Sequence, residues 1–128
     1  MKKMVFLLLT LIFLAACGQA DDADREAVYL NISAEEAKAL MDSERDYVIL
    51  DVRTAEEYES GHIPGAILIP DTEIAQQAEG ILRDKNQLIL VYCRSGRRSK
   101  LASEILVELG YTNIREFGGI IDWPYDIE

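Results

Sequence analysis

Cys93 is the residue of this sequence best placed for nucleophilic chemistry. It opens the segment Cys93-Arg94-Ser95-Gly96-Arg97-Arg98-Ser99, which lies between an apolar run, Leu88–Tyr92, and an amphipathic one, Ser99–Leu109. A thiol between a strand and a helix start faces the unpaired N–H groups and the positive dipole end of that helix, and both stabilise an anion. Gly96 lets the backbone fold tightly around a ligand. Arg94, Arg97, Arg98 and Lys100 crowd a short stretch of a chain that is otherwise acidic, with 23 Asp and Glu against 13 Lys and Arg. The local field therefore opposes the global one. It favours thiolate over thiol and draws in small oxyanions. The plain alternative is a buried structural cysteine, small and apolar, followed by a solvated basic helix start. Three arginines, a glycine and a helix start directly after the thiol favour the reactive reading.

Other residues carry weaker readings. Asp51 and Arg53 read as a structural pair or as supports for the active loop. Glu57 reads as a helix cap rather than a catalytic carboxylate. His62, in a turn before Pro64, reads as structural, and Trp123 as a core plug. With one histidine and two cysteines, a zinc or iron site is not expected, and nothing in the sequence calls for another cofactor.

The elements that must position these residues follow from patterning. Val28–Ile32 reads as a short strand. Ser33 then starts a helix, with Glu36 placed to complete a capping box and Ala37, Leu40 and Met41 on one apolar side. Tyr47–Val52 and Leu88–Tyr92 are near-continuous apolar runs, as strands buried on both faces require. Thr54 and Glu57 repeat the capping box over a short helix ending near Gly61. Ala66–Ile69 reads as a strand, Thr72–Leu82 as a helix broken near Gly80, and Asn113–Phe117 as the last strand. In the helix Ser99–Leu109, Leu101, Ile105 and Leu109 recur at spacing four beside Ala102 and Leu106, and Gly110 is the expected C-cap. Alternating strands and helices make this an α/β domain with a mostly parallel sheet. Ligands sit beyond the C-terminal strand ends of such sheets, where Asp51 and Cys93 fall.

The first residues read as a leader. Lys2 and Lys3 precede an apolar run, Met4–Ala16, that is too short to span a bilayer and suits a secretory signal. The run ends Leu14-Ala15-Ala16-Cys17, which resembles a bacterial lipobox. That predicts a signal peptide over residues 1–16, lipidation of Cys17, a small acidic tether over 17–27 and one domain over 28–128, held outside the cytoplasm on a cell-envelope membrane. The formal net charge of −10 becomes about −12 once Lys2 and Lys3 are removed. Such a surface repels nucleic acid and anionic lipid, so only the N-terminal lipid would hold a membrane. Once Cys17 is acylated, Cys93 has no intramolecular partner, and a monomer is expected.

Three motifs in order resemble the rhodanese-type sulfurtransferases. Asp51-Val52-Arg53, Glu56-Glu57-Tyr58 and Gly61-His62-Ile63-Pro64-Gly65-Ala66 resemble the family's N-terminal signature. Tyr92 to Ser99 resembles its active loop, and Gly118-Gly119 with Trp123 its C-terminal signature. The likeness spans about Val28 to Trp123. It implies a five-stranded parallel sheet flanked by helices, and a Cys93 that accepts sulfane sulfur as a persulfide. Donor oxygens would then be held by Arg94, Arg97 and Arg98, and the terminal sulfur by backbone N–H groups from Ser95 to Ser99. The expected partners are a small sulfur donor such as thiosulfate and a thiol acceptor.

Two rival readings remain open at this point. Phosphatases and arsenate reductases of related fold place Arg six residues beyond the nucleophile, where this chain has Ser99. Rhodanese-like modules that only bind partners commonly lack the cysteine, which is present here.

Overall fold

The computed structural model describes residues 28–128. The expected leader, Cys17 and the tether lie outside the described residues. Five strands, β1 (Leu30–Asn31), β2 (Tyr47–Asp51), β3 (Ile67–Leu68), β4 (Leu88–Cys93) and β5 (Ile114–Gly119), form one sheet in the order β1-β5-β4-β2-β3. Every pairing is parallel. Four helices flank it: α1 (Ala34–Ser43), α2 (Ala55–Glu59), α3 (Ile74–Ile81) and α4 (Arg97–Glu108).

The pleat sorts the central strand into two cores. Ile89, Val91 and Cys93 point to one face, with Ile74 and Ala78 of α3 and Ala102 and Leu106 of α4. Leu88, Leu90 and Tyr92 point to the other, with Ala37 of α1, Ile63 and Phe117. Successive side chains of a strand leave on opposite sides, so a strand covered on both faces must be apolar throughout. Every residue of β4 is buried, and each fully buried Leu or Ile contributes about 2 kcal/mol. That alternation sends the Cys93 side chain towards α4.

Several boundaries and contacts differ from the sequence reading. The edge strands β1 and β3 shrink to two residues each, because each has a hydrogen-bonding neighbour on one side alone. Gly80 lies inside α3 and does not break it. The interruption comes earlier, where a single tighter turn over Asp71–Glu73 leads into α3. At α1, Ser33 accepts from the Glu36 N–H, but the Glu36 carboxylate returns to the Ser33 hydroxyl, 3.3 Å away, so the box is half formed. The box over α2 is complete.

The helix α4 departs most. It starts at Arg97, two residues before the expected Ser99, because Gly96 at φ 108° supplies the left-handed N-cap. Its buried stripe is Ser99, Ala102, Ser103 and Leu106, while Leu101 is 49% exposed. The spacing-four row Leu101, Ile105 and Leu109 thus runs along the edge of the buried face. The end of α4 is as expected. Gly110 donates to Val107 and Tyr111 to Leu106, a Schellman arrangement closed by apolar contact in the same core.

Candidate active site

Cys93 is the last residue of β4, 1% exposed and without a disulfide partner among the described residues. Arg94 and Ser95 are exposed, Gly96 is buried, and α4 begins at once. The Gly96 N–H donates to Cys93 Sγ at 3.0 Å. Gly96 belongs to the Ser95–Ser99 stretch whose backbone N–H groups are expected to hold a terminal sulfur, and its own N–H already meets Sγ. The loop is held down by the end of β5 and the turn that follows it. Ile121 N–H donates to the Arg94 carbonyl. A Cβ on Gly119 would lie 1.9 Å from that oxygen, so the strand can pass beneath the loop only as glycine.

The arginines separate into two kinds. Arg98 is half-buried and forms a two-pronged bond to Glu57, with Nη1–Oε1 at 2.7 Å and Nη2–Oε2 at 2.9 Å. The Arg98 bonds, the Thr54 N–H and the Thr54 hydroxyl hold the Glu57 carboxyl down at about 2, against the opposing effect of its burial. The same carboxylate holds the Arg98 proton more firmly than usual, and the field of the Cys93 sulfur adds to this. Glu57 is therefore both the cap of α2 and the anchor of the active loop. Arg94 and Arg97 are exposed and enter no salt bridge among the described residues.

Ser99 does not face solvent. Its hydroxyl is buried, 3.3 Å from Cys93 Sγ and 2.6 Å from Glu116 Oε1. Glu116 is fully buried and lay outside the sequence reading. It shares the parity of Ile114 along β5, so its side chain must point into the same core as Cys93. An acidic residue at an inward position of a strand was the available signal.

Asp51 and Arg53 pair with each other, at 2.7 Å between Arg53 Nη2 and Asp51 Oδ2, both almost completely buried. Burial opposes the Arg53 charge, but the bonds to Asp51 prevail and hold its proton more tightly. Arg53 also donates to the Gly61 carbonyl, and the Tyr92 hydroxyl donates to Asp51 at 2.6 Å while accepting from Ile63 N–H. Burial, then the Asp51 bond, pushes the Tyr92 hydroxyl well up. This cluster ties the α2–β3 turn to the back of β4, and none of its bonds reaches the Cys93 loop. The pair is structural.

His62 is structural too. It stacks on Tyr58 at 3.9 Å, and its backbone exchanges both hydrogen bonds with Glu128. Trp123 is half-buried rather than a full core plug: it packs against the second core, tilted on Phe117 at 5.5 Å, while Tyr125 meets it edge-on at 4.9 Å and its outer side lines a surface cleft.

The model of the rhodanese-like domain matches residues 33–124. Thiosulfate sulfurtransferase PspE of Escherichia coli (strain K12) is 44% identical over 73 residues, covering 57% of this chain and 70% of that protein. A solved rhodanese with anions from E. coli superposes with a TM-score of 0.60 at 39% identity, over 64% of this chain and 96% of that one. The Alr3790 protein from Anabaena sp. gives a TM-score of 0.70 at 28% identity, over 76% of this chain and 90% of that one. Both superpositions agree with the parallel five-stranded sheet described above, and the matched residues run from the cap of α1 to beyond β5: the chain belongs to the rhodanese-like family.

Proposed function

We propose that this protein is a sulfurtransferase that carries sulfane sulfur on Cys93. The single observation that carries this reading is the Gly96 N–H set 3.0 Å from Cys93 Sγ at the start of α4, where a sulfur anion is stabilised by backbone donors and the helix dipole. The Cys93 thiolate attacks the outer sulfur of a thiosulfate-like donor. A new S–S bond forms, the old one breaks, and sulfite leaves with the electron pair. A thiol acceptor then attacks the outer sulfur of the persulfide, and the Cys93 thiolate is released. Sulfite departs as a stable anion, so no general acid is needed. What the protein supplies is anion stabilisation.

Arg94 and Arg97, exposed beside the thiol and without salt-bridge partners among the described residues, suit the donor's sulfonate oxygens, which a guanidinium fork matches well. The near-complete burial of Cys93 favours a donor that presents one protruding atom, as the outer sulfur of thiosulfate does. Phosphate chemistry is disfavoured by Ser99, whose hydroxyl is turned into the core where a phosphate-binding loop would offer a guanidinium. Intact-mass analysis after thiosulfate treatment tests the reading. A gain of one sulfur, lost on adding a thiol and absent in Cys93→Ser, is expected. No gain in the parent protein would instead favour a module that only binds partners.

The lipidated leader is part of the same proposal, resting on the LAAC junction at Cys17. No helix among the described residues is long and apolar enough to cross a membrane. Cys17→Ala should release the protein from the membrane fraction of cells, and a variant retained like the parent would refute the anchor.

A further inference from the structure

We propose that Glu116 is a positioning residue that exchanges a proton with Cys93 through the Ser99 hydroxyl, so that the two buried groups share one negative charge. The inference rests on Cys93 being the sulfur carrier, and adds how its thiolate is made. Three strands and one helix converge on the point. Cys93 ends β4, Glu116 lies on β5 beside it, Asn31 lies on β1, and Ser99 reaches down from the first turn of α4. The hydrogen-bond partners of Glu116 are neutral: the Asn31 amide, the Gly118 N–H at 2.8 Å and the Ser99 hydroxyl at 2.6 Å.

Proton counting constrains this chain of groups. Two oxygens 2.6 Å apart need a proton between them. When Cys93 is a thiol, its S–H points to Ser99 Oγ, 3.3 Å away. The Ser99 O–H then points to Glu116, which is a carboxylate. Moving one proton along each link gives the other state. Glu116 is a carboxylic acid donating to Ser99 Oγ, and Ser99 donates to the Cys93 thiolate. No proton enters or leaves, and no second buried charge is created, which would cost far more than moving the first. The negative charge moves from carboxylate to sulfur, where the Gly96 N–H receives it.

Among the described residues, the other ionisable groups facing this chain are few. Tyr29, ahead of β1, feels both Glu104 of α4 and Glu116. Arg98 feels Cys93 and Asp71 and is already paired with Glu57. None of them hydrogen-bonds to Ser99 or stands between Cys93 and Glu116.

The test is the pH dependence of iodoacetamide alkylation of Cys93 in the full chain, followed on the Cys93 peptide by mass spectrometry. In the parent, thiolate forms without releasing a proton to solvent, so the rate should stay within about twofold from about pH 6 to 8. In Glu116→Gln the proton must leave to solvent, and the rate should rise about tenfold per pH unit over the same range, starting well below the parent. Ser99→Ala breaks the link while leaving the carboxyl in place and should show the same rise, so the result does not hang on one variant folding. A parent rate that climbs as steeply as the variants', or variants as flat as the parent, overturns the proposal. No sulfur donor is used, so this outcome is independent of whether a persulfide forms.

Discussion

Arg98 and Glu57 join two helix starts. The guanidinium in the first turn of α4 grips the carboxylate in the first turn of α2 through two parallel hydrogen bonds of 2.7 and 2.9 Å, across 41 residues of sequence. Because Glu57 also caps α2, one side chain sets the position of both helices against the Cys93 loop.

Glu57→Gln should loosen that loop. It keeps much of the cap but loses the charge and half of the fork. The stability loss should be modest, about 1 kcal/mol for a partly exposed pair of good geometry, while sulfur transfer falls more than stability does. Urea unfolding and thiosulfate turnover on the same samples check this. A variant with full turnover would remove Glu57 from the site.

The same pair sets an acid limit. The Glu57 carboxyl is held at about 2 in the folded protein against an ordinary 4.5. A carboxyl lowered by folding adds stability that is fully present above 4.5 and is lost as pH falls towards about 2. The stability difference between the parent and Glu57→Gln should therefore be constant near neutral pH and shrink across that window. Thermal melting of both proteins over this range measures it.

Arg94 and Arg97 should behave differently from Arg98. Replacing both with Ala removes exposed charges that enter no salt bridge among the described residues, so melting should shift little. The thiosulfate KM should rise several-fold, and the effect should fade at high salt, as exposed charges are screened. An unchanged KM would place donor binding elsewhere.

Asp51→Asn should be the most damaging substitution outside the loop. Arg53 and Asp51 are 4% and 0% exposed, and removing one partner strands a buried charge, a loss of about 3 to 5 kcal/mol. The amide would also lose part of the fork and weaken the Tyr92 bond. Denaturant midpoints report the loss. The residual folded protein should still accept sulfur, because none of these bonds touches the Cys93 loop.

Gly119→Ala should do the reverse, sparing much of the sheet and spoiling the site. Its Cβ would meet the Arg94 carbonyl at 1.9 Å, and the loop must move to relieve a clash with backbone. Persulfide formation should drop sharply while far-ultraviolet circular dichroism stays close to that of the parent.

The sequence by itself determined much of this protein. Apolar runs at Tyr47–Val52 and Leu88–Tyr92 located the buried strands, since only a strand covered on both faces can be apolar throughout. Thr54 and Glu57 announced the start of α2, because a capping box is local chemistry. Cys93, Gly96 and the arginines marked the loop for the same reason: neighbours in sequence share a turn in space. Only the tertiary structure decided which side chains that loop would meet. Glu57 could be read as a cap but not as the partner of Arg98, and Ser99 as a loop donor but not as the bridge from Cys93 to Glu116. Those contacts depend on strand register and on the rotation of α4. In α4, which starts two residues early at Arg97, Ser99 is turned inward and Leu101 outward, and a helix's rotation is settled by the packing of the whole buried face rather than by any short stretch of sequence.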